Sequence, residues 1–139
     1  MTLIGKLVMI TDFIIHEHKA RKAGLHYDLR IRIGDVLRDW AFRKPIALKQ
    51  GVKRLGIEQE NHHPSWLFFE GIIEEGYGAG ELKIWDRGEV GILDIVEGKK
   101  LVCNFYGKKV RGKHILVKSE KLGGWLFWKT EEETPVKDS

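Results

Sequence analysis

Strict alternation of apolar and polar residues over Leu25–Ile33 constrains the fold more than any other feature of this 139-residue chain. Side chains of a β-strand point to opposite faces with a period of two, so the pattern predicts a strand with one buried face. Positions 25, 27, 29, 31 and 33 are apolar and would face a core. His26, Asp28 and Arg30 would then line the other face in a row.

Short strand-like runs recur along the chain and are separated by glycine-containing turns. Such runs, with little helical periodicity, are typical of antiparallel barrels and sandwiches. We expect a mainly β fold, a compact closed or partly closed antiparallel β-barrel with one or two short helical segments. One helical turn is predicted at His18–Gly24, with Gly24 as its C-cap. The predicted strands are Met9–Ile15, Leu25–Ile33, Val36–Ala41, Ser65–Ile73, Gly80–Trp85, Gly88–Val96, Lys100–Phe105, Lys113–Lys118 and Trp125–Lys129.

Composition predicts one domain over residues 1–129, followed by a charged, flexible tail over 130–139. Hydrophobic residues make up 42% of the chain, enough for a sizeable core. The single cysteine, Cys103, excludes an internal disulfide and predicts a buried thiol within its apolar run. Residues 1–10 are too short and too mixed for a membrane span or a signal peptide, so a cytoplasmic protein is expected.

Charge is distributed unevenly around the net value of +4. Residues 1–56 carry a net charge of +7, residues 57–97 carry −8 and residues 98–139 carry +5. A solvated surface normally mixes the two signs more evenly. The basic outer thirds therefore favour a polyanionic partner such as nucleic acid.

The spacing His18-x7-His26-x-Asp28-x-Arg30 has the chemistry of a metal site. A neutral imidazole beside a carboxylate on a rigid strand supplies most of a divalent-metal site, and His18 can add a third ligand. Arg30 is placed to hold an anion against that metal. His16 is a rival ligand that spacing alone does not exclude. A solvated polar face is the common alternative for any single strand of this kind.

Two further basic residues, Lys44 and Arg54, could bind the anion that Arg30 is predicted to hold. Lys44 follows a predicted strand and precedes Pro45, which would end it, and Arg54 begins the segment that leads to a pair of histidines. Arg30 and Arg54 can each donate two hydrogen bonds to phosphate oxygens, with Lys44 as a point charge.

Glu60 and His62 alternate, so an extended backbone would face both the same way. Glu60 would then orient the imidazole, and His62 could act as a general acid or stabilise a transition state. His63 is the alternative to His62, and His114 is interpreted as a surface residue. Together these residues predict metal-dependent hydrolysis of a phosphate ester.

An ordered set of motifs runs along nearly the whole chain. The motifs are Phe13-Ile-Ile-x-x-His18, Leu25-His-Tyr-Asp-Leu-Arg30, Leu37-x-x-Trp40-Ala-x-x-Lys44, Arg54-Leu55, Glu60-x-His62, Phe69-Glu-Gly-Ile-Ile73, Tyr77-Gly-Ala-Gly80, Trp85-Asp-Arg-Gly88 and Trp125-Leu-Phe-Trp-Lys129. This combination closely resembles the 3′-phosphoesterase domain of DNA ligase D, in its short, stand-alone form. By position, the resemblance implies His18, His26 and Asp28 as metal ligands. It implies the residues around the scissile phosphate to be Arg30, Lys44, Arg54, Glu60 and His62.

The resemblance also implies an activity. Members of the family use a divalent metal, typically Mn²⁺, with Zn²⁺ or Co²⁺ as alternatives, to heal DNA 3′ ends during end joining. They remove a 3′-terminal ribonucleoside to leave a 3′-phosphate, and then hydrolyse that phosphate to a 3′-hydroxyl. The expected partners are primer-template 3′ ends and a separate DNA ligase and polymerase, and the expected state is a monomer.

Three departures from the family pattern bear on the balance between diesterase and monoesterase activity. The spacer between His18 and His26 is two residues longer than in the ligase-fused form. Trp66 stands where a functional tyrosine is expected, which makes it a candidate substrate contact without the hydroxyl. His63 replaces a proline.

Two other functions compete with this hypothesis. A non-catalytic nucleic-acid-binding module would use the basic thirds of the chain and stack bases on its five tryptophans. A non-haem iron oxygenase would use two histidines and a carboxylate on a barrel, but would not require Arg30, Arg54 and Lys44 around the metal. An oxygenase requires iron and an organic co-substrate, whereas a pure binding module shows no turnover with any metal.

Overall fold

The computed structural model describes residues 9–76 and 78–131. Residues 1–8, Tyr77 of the Tyr77–Gly80 motif and positions 132–139 of the predicted tail lie outside the described residues. One 3-10 helix, Pro64–Phe68, lies between the fourth and fifth strands. The strands are β1 (Met9–Ala20), β2 (Gly24–Ile33), β3 (Val36–Phe42), β4 (Arg54–His62), β5 (Gly71–Ile73), β6 (Gly80–Val96), β7 (Lys100–Tyr106), β8 (Arg111–Ser119) and β9 (Gly124–Glu131).

Eight antiparallel strands form a closed barrel in the order β1-β2-β3-β4-β9-β8-β7-β6, with β6 pairing back to β1. The ninth strand, β5, lies outside the barrel and pairs with the first residues of β6. The predicted antiparallel β-barrel is therefore confirmed. None of the helices in residues 9–76 and 78–131 is long and apolar enough to cross a membrane.

The barrel interior holds the main core. Leu29 of β2 and Trp40 of β3 are fully buried there, together with Phe105 of β7. Cys103 is buried in the same core, as its apolar run predicts, and burial raises the pKa of its thiol to about 12. The opposite faces of β1 and β3 carry a smaller cluster, in which Ile14 and Leu37 pack against Leu67 of the 3-10 helix.

Two strand predictions are wrong where backbone contacts decide the conformation. The segment Ser65–Ile73 is not one strand, because Pro64 begins a 3-10 helix whose N-terminus is capped by the His63 side chain. Strand β6 runs without interruption through Arg87-Gly88, which was predicted to be a turn. Gly88 instead allows the backbone of β7 to approach β6 closely, since a Cβ at this position would lie 2.6 Å from the Tyr106 carbonyl oxygen.

Two further elements differ from the sequence prediction. Strand β1 continues to Ala20, so the predicted helical turn His18–Gly24 does not form, and Gly24 has a φ of +79° at the tight turn between β1 and β2. Strand β4 was not predicted, because residues 58–62 are all polar and lack the alternation of apolar and polar residues that indicates a strand. It pairs along β3, but only its first three residues pair with β9.

Candidate metal centre

The polar row predicted on β2 lies on the outer wall of the barrel, not in its interior. Strands β1 and β2 place His18 opposite His26 and His16 opposite Asp28. Their neighbours along the strands, Leu29 among them, point into the core. The alternation that builds the core face therefore also assembles the polar face.

His18, His26 and Asp28 converge on this wall, and one donor atom of each lies within 4.8 Å of the others. Nδ1 of His18 is 3.1 Å from Oδ2 of Asp28, and Nε2 of His26 is 3.2 Å from Oδ1. Ligands that share one ion at bond lengths of about 2.0–2.2 Å stand roughly 3–3.5 Å apart. The three side chains are therefore spaced as ligands of a single ion.

The other ring nitrogens of the two histidines determine what faces Asp28. Nε2 of His18 donates to the Gly78 carbonyl at 2.9 Å, and Nδ1 of His26 donates to the Gly24 carbonyl at 3.1 Å, because a carbonyl oxygen can only accept. The remaining nitrogen of each ring, Nδ1 of His18 and Nε2 of His26, therefore faces the carboxylate. With both of these nitrogens deprotonated, two lone pairs and a carboxylate form a donor set that fits a divalent metal.

The surroundings of Asp28 keep its carboxyl group ionised, as a metal ligand must be. Burial acts to raise the pKa of this carboxyl group, but His18, His26 and the Arg30 guanidinium outweigh burial and hold it well below its usual range. For His26, burial acts to lower the pKa, but the Asp28 carboxylate raises it overall. A proton and a metal therefore compete for the imidazole atoms that face Asp28.

The rival ligand His16 is committed elsewhere. Its Nε2 donates to the Phe69 carbonyl at 2.8 Å, and its Nδ1 accepts a hydrogen bond from Arg30. Burial, followed by the nearby Arg30 charge, lowers the pKa of His16 to about 4, so the ring is neutral. His16 therefore orients Arg30 and does not offer a lone pair to the metal cluster.

Arg30 connects the metal cluster to the next strand. Its Nη2 lies 3.4 Å from Oδ2 of Asp28, its Nε lies 3.3 Å from Oδ2 of Asp39, and its guanidinium carbon lies 5.6 Å from the Trp66 ring centroid. The side chain is 4% exposed. One N–H of each guanidinium nitrogen is thus used within the protein, which leaves two for a bound anion.

A cavity of about 490 Å³ opens over the cluster and brings most of the predicted site residues together. Of the sequence-predicted residues, it is lined by His18, His26, Asp28, Arg30, Glu60 and His62. Its further lining residues are Ala20, Ala23, Asp39, Gln59 and Gly78.

The remaining predicted residues lie around this cavity. Among the described residues, the lining does not include Lys44, Arg54 or Trp66. Lys44 is exposed beyond the end of β3, and Nε of Arg54 donates to the Pro45 carbonyl at 3.0 Å. Trp66 packs edge-on against His62, with ring centroids 5.6 Å apart.

Sequence reasoning missed Asp39 and misplaced His114. Oδ2 of Asp39 lies 3.0 Å from Nδ1 of His62, where Glu60 was expected to act. A two-residue turn at Gly34-Asp35 sets Arg30 opposite Asp39, and this register could have identified it. His114 is buried in the core and is not a surface residue, because the inward alternation of β8 places it against Phe127.

Comparisons with known proteins point to one family. Residues 16–118 match the family model described as the DNA Ligase D 3′-phosphoesterase domain. The chain is 34% identical over 121 residues to the multifunctional non-homologous end joining protein LigD of Pseudomonas aeruginosa, which covers 84% of this chain and 14% of that protein. LigD of Mycobacterium tuberculosis is 34% identical over a match that covers 77% of this chain and 14% of that protein. LigD of Mycolicibacterium smegmatis is 33% identical over a match that covers 87% of this chain and 17% of that protein. The chain thus spans about one sixth of these relatives or less, and it belongs to the DNA ligase D 3′-phosphoesterase domain family.

Proposed function

We propose that this protein is a divalent-metal-dependent phosphoesterase that repairs the 3′ ends of DNA for end joining. It removes a 3′-terminal ribonucleoside to leave a 3′-phosphate, and then hydrolyses that phosphate to a 3′-hydroxyl. The observation that carries the proposal is the convergence of His18, His26 and Asp28, with one ring nitrogen of each histidine facing the carboxylate. Family membership supplies the substrate class.

Each cavity residue has a part in this chemistry. His18, His26 and Asp28 would hold a divalent ion, which withdraws charge from the phosphate oxygens and activates water. The two remaining N–H groups of the buried Arg30 side chain bind a non-bridging phosphate oxygen. His62 donates a proton to the leaving oxygen from the far side of the cavity.

Three residues at the edge of the site contact the rest of the substrate. Glu60 is exposed at the cavity mouth, where its carboxylate can accept a hydrogen bond from a ribose hydroxyl. Lys44 and Arg54 lie outside the lining and bind the flanking phosphates of the strand. Trp66 offers a ring beside His62 on which a terminal base can stack.

The donor set of two imidazoles and one carboxylate suits Mn²⁺, with Zn²⁺ and Co²⁺ as alternatives. The substrate is a primer-template whose 3′ end carries a ribonucleotide or a phosphate. A DNA ligase and a polymerase act on the product, and the protein works as a monomer.

The decisive experiment supplies a primer-template with one 3′-terminal ribonucleotide, together with Mn²⁺, Zn²⁺ or a chelator. Wild-type protein should shorten the primer to a 3′-phosphate and then yield a 3′-hydroxyl, and chelation should stop both steps. His26→Ala and Asp28→Asn should each lower both rates by about 100-fold or more, since each removes a metal ligand. Asp35→Asn changes an exposed carboxylate in the turn between β2 and β3 and is the matched control for Asp28→Asn.

Manganese binding by titration calorimetry separates loss of the ligand from loss of the fold. A folded Asp28→Asn protein should bind Mn²⁺ at least tenfold more weakly than the Asp35→Asn control. Full activity in a folded His26→Ala or Asp28→Asn protein would exclude this metal centre. Duplex binding without cleavage, whichever metal is present, would instead indicate a non-catalytic binding module.

A further inference from the structure

Asp39 lines the cavity and lies between Arg30 and His62. The residue is 1% exposed, and its Oδ2 lies 3.3 Å from Nε of Arg30 and 3.0 Å from Nδ1 of His62. Oδ1 of Asp39 and Nδ1 of His62 are both buried and have no aligned hydrogen bond among the described residues, so the 3.0 Å approach of Nδ1 to Oδ2 is a close charge contact. One carboxylate oxygen thus joins side chains from β2 and β4 through a residue on β3.

Burial of this carboxylate is not explained by stability alone. A buried carboxylate is costly unless its charge is paired and its oxygens are hydrogen-bonded, and here one oxygen lacks a partner. Arg30 also lies 3.4 Å from the Asp28 carboxylate, so Asp39 is not its only acidic partner. What Asp39 adds is an anionic oxygen 3.0 Å from Nδ1 of His62.

We propose that Asp39 is a positioning residue, which holds His62 through Nδ1 and leaves Nε2 to face the leaving oxygen of a phosphate ester. This inference rests on the proposed function and assigns the orienting carboxylate to Asp39, not to Glu60. A carboxylate beside an imidazole fixes its tautomer and ring orientation. The contact of Asp39 with Arg30 sets the distance between the proton donor and the anion-binding N–H groups.

The step that Asp39 assists balances without any further reactant. In hydrolysis of a 3′-phosphate, the oxygen of a water molecule bonds to phosphorus while the bond between phosphorus and O3′ breaks. The electron pair of that bond goes to O3′, which takes the proton from Nε2 of protonated His62. The products are inorganic phosphate and a 3′-hydroxyl, and the proton lost by the attacking water reaches solvent, from which His62 is protonated again.

The test compares two leaving groups. Asp39→Asn keeps the size of the side chain and an oxygen that can accept from Arg30, but removes the charge beside His62. Asp94→Asn, at an exposed carboxylate 3.4 Å from Nζ of Lys100, is the matched control. The substrates are an oligonucleotide 3′-phosphate, whose alkoxide leaving group needs a proton, and 4-nitrophenyl phosphate, whose leaving group does not.

The expected result is selective. Asp39→Asn should lower kcat for the oligonucleotide by about 100-fold with KM within about threefold, and should change kcat for 4-nitrophenyl phosphate by less than about threefold. In a His62→Ala background the same substitution should have almost no further effect on kcat, because the two residues act as a unit. Should Asp39→Asn fail to fold, Asp39→Ser is measured against the same two substrates.

Two results would overturn the inference while leaving the proposed function in place. One is wild-type kcat on the oligonucleotide 3′-phosphate in a folded Asp39 variant. The other is an equal loss with both substrates accompanied by weaker Mn²⁺ binding, since that is the effect of a merely structural residue. If the wild-type protein hydrolyses neither substrate with any metal, the proposed function fails and this inference fails with it.

Discussion

At the scale of the residue, the N–H groups of the histidines decide what each ring can bind. His16 and His18 share one face of β1, and both donate to carbonyls of the segment that follows β4. They differ in the second nitrogen, since Nδ1 of His16 accepts from Arg30 whereas Nδ1 of His18 faces Oδ2 of Asp28. Identical side chains two residues apart therefore have different chemistry.

We expect His114 to make the folded protein less stable at acid pH. It is buried between Phe105 and Phe127, where burial, followed by the nearby Lys129 charge, lowers the pKa of the ring to about 4. The unfolded chain, with the usual value of 6.5, then binds more protons than the folded protein between pH 6.5 and 4. Stability must therefore fall as the pH drops through that window, by about 3 kcal/mol at its lower end.

The check is His114→Leu, which keeps an apolar body of similar size and cannot be protonated. Urea unfolding at pH 7 and pH 4.5 should show that the variant loses about 2–3 kcal/mol less than the wild type on acidification. Parallel losses in the two proteins would show that His114 does not contribute to acid sensitivity.

Sequence alone could identify the ligand types but not their partners. The alternation in β2 and the spacing to His18 led to the residues that form the His/Asp cluster. The spacing did not decide whether His16 is a metal ligand, because the Phe69 carbonyl to which His16 donates lies 53 residues away in the sequence. Asp39 escaped notice because a single carboxylate in an apolar strand carries no motif, and its meaning comes from its register with Arg30.

At the scale of the element, a buried carboxylate fixes the hairpin between β7 and β8. Asp86, on β6, accepts backbone N–H groups from Lys108 at 2.9 Å, Lys109 at 3.1 Å and Val110 at 2.8 Å. It also accepts from the N–H of Arg87 at 2.9 Å. The side chain of Asp86 thus attaches the turn between β7 and β8 to β6, next to the segment in which β6 pairs with β1 through Arg87 and Gly88.

Removal of that acceptor should destabilise the hairpin strongly. Asp86→Ala leaves several amide groups unsatisfied, so we expect a loss of about 3 kcal/mol or more in unfolding free energy. Hydrogen exchange should accelerate first at the amides of residues 108–110, and Asp94→Ala, which removes an exposed carboxylate, should leave them protected. Unchanged exchange at these amides in Asp86→Ala would contradict the role given to Asp86.

Elements were predictable where hydrophobic periodicity decided them and not where tertiary contacts did. The strands β2, β3, β7 and β9 follow their apolar patterns closely. Strand β4 does not, since its segment 58–62 is polar and is held as a strand by pairing with β3. The 3-10 helix at Pro64–Phe68 likewise depends on burial of Leu67 against Ile14, a contact between distant segments.

At the scale of the whole molecule, the consecutive pairing of β1, β2, β3 and β4 brings the candidate site together. The metal cluster lies on β1 and β2, whereas Glu60 and His62 belong to β4, on the far side of β3. On its edge away from β3, strand β4 is joined to the barrel through three residue pairs with β9, from Arg54–Phe127 to Gly56–Trp125. Sequence predicted a closed or partly closed barrel but gave no indication that this seam is so short.

Gly56 is the residue on which that seam depends. A Cβ at this position would lie 2.5–2.9 Å from three ring atoms of Phe42, which is fully buried and packs against Phe127. Gly56→Ala must therefore displace either the ring or β4, at a cost of about 1–3 kcal/mol. Because His62 lies on the same strand, the substitution should lower turnover while Mn²⁺ still binds to His18, His26 and Asp28.

Ile57→Ala is the control, since it truncates an adjacent side chain that is 46% exposed. The measurements are urea unfolding, Mn²⁺ titration and kcat for the oligonucleotide 3′-phosphate, together with hydrogen exchange at the amides of β4 and β9. Turnover and metal affinity that decline in parallel would mean that the seam supports the whole barrel and not the position of His62. Turnover that declines alone would show that the short seam sets the distance between the two halves of the site.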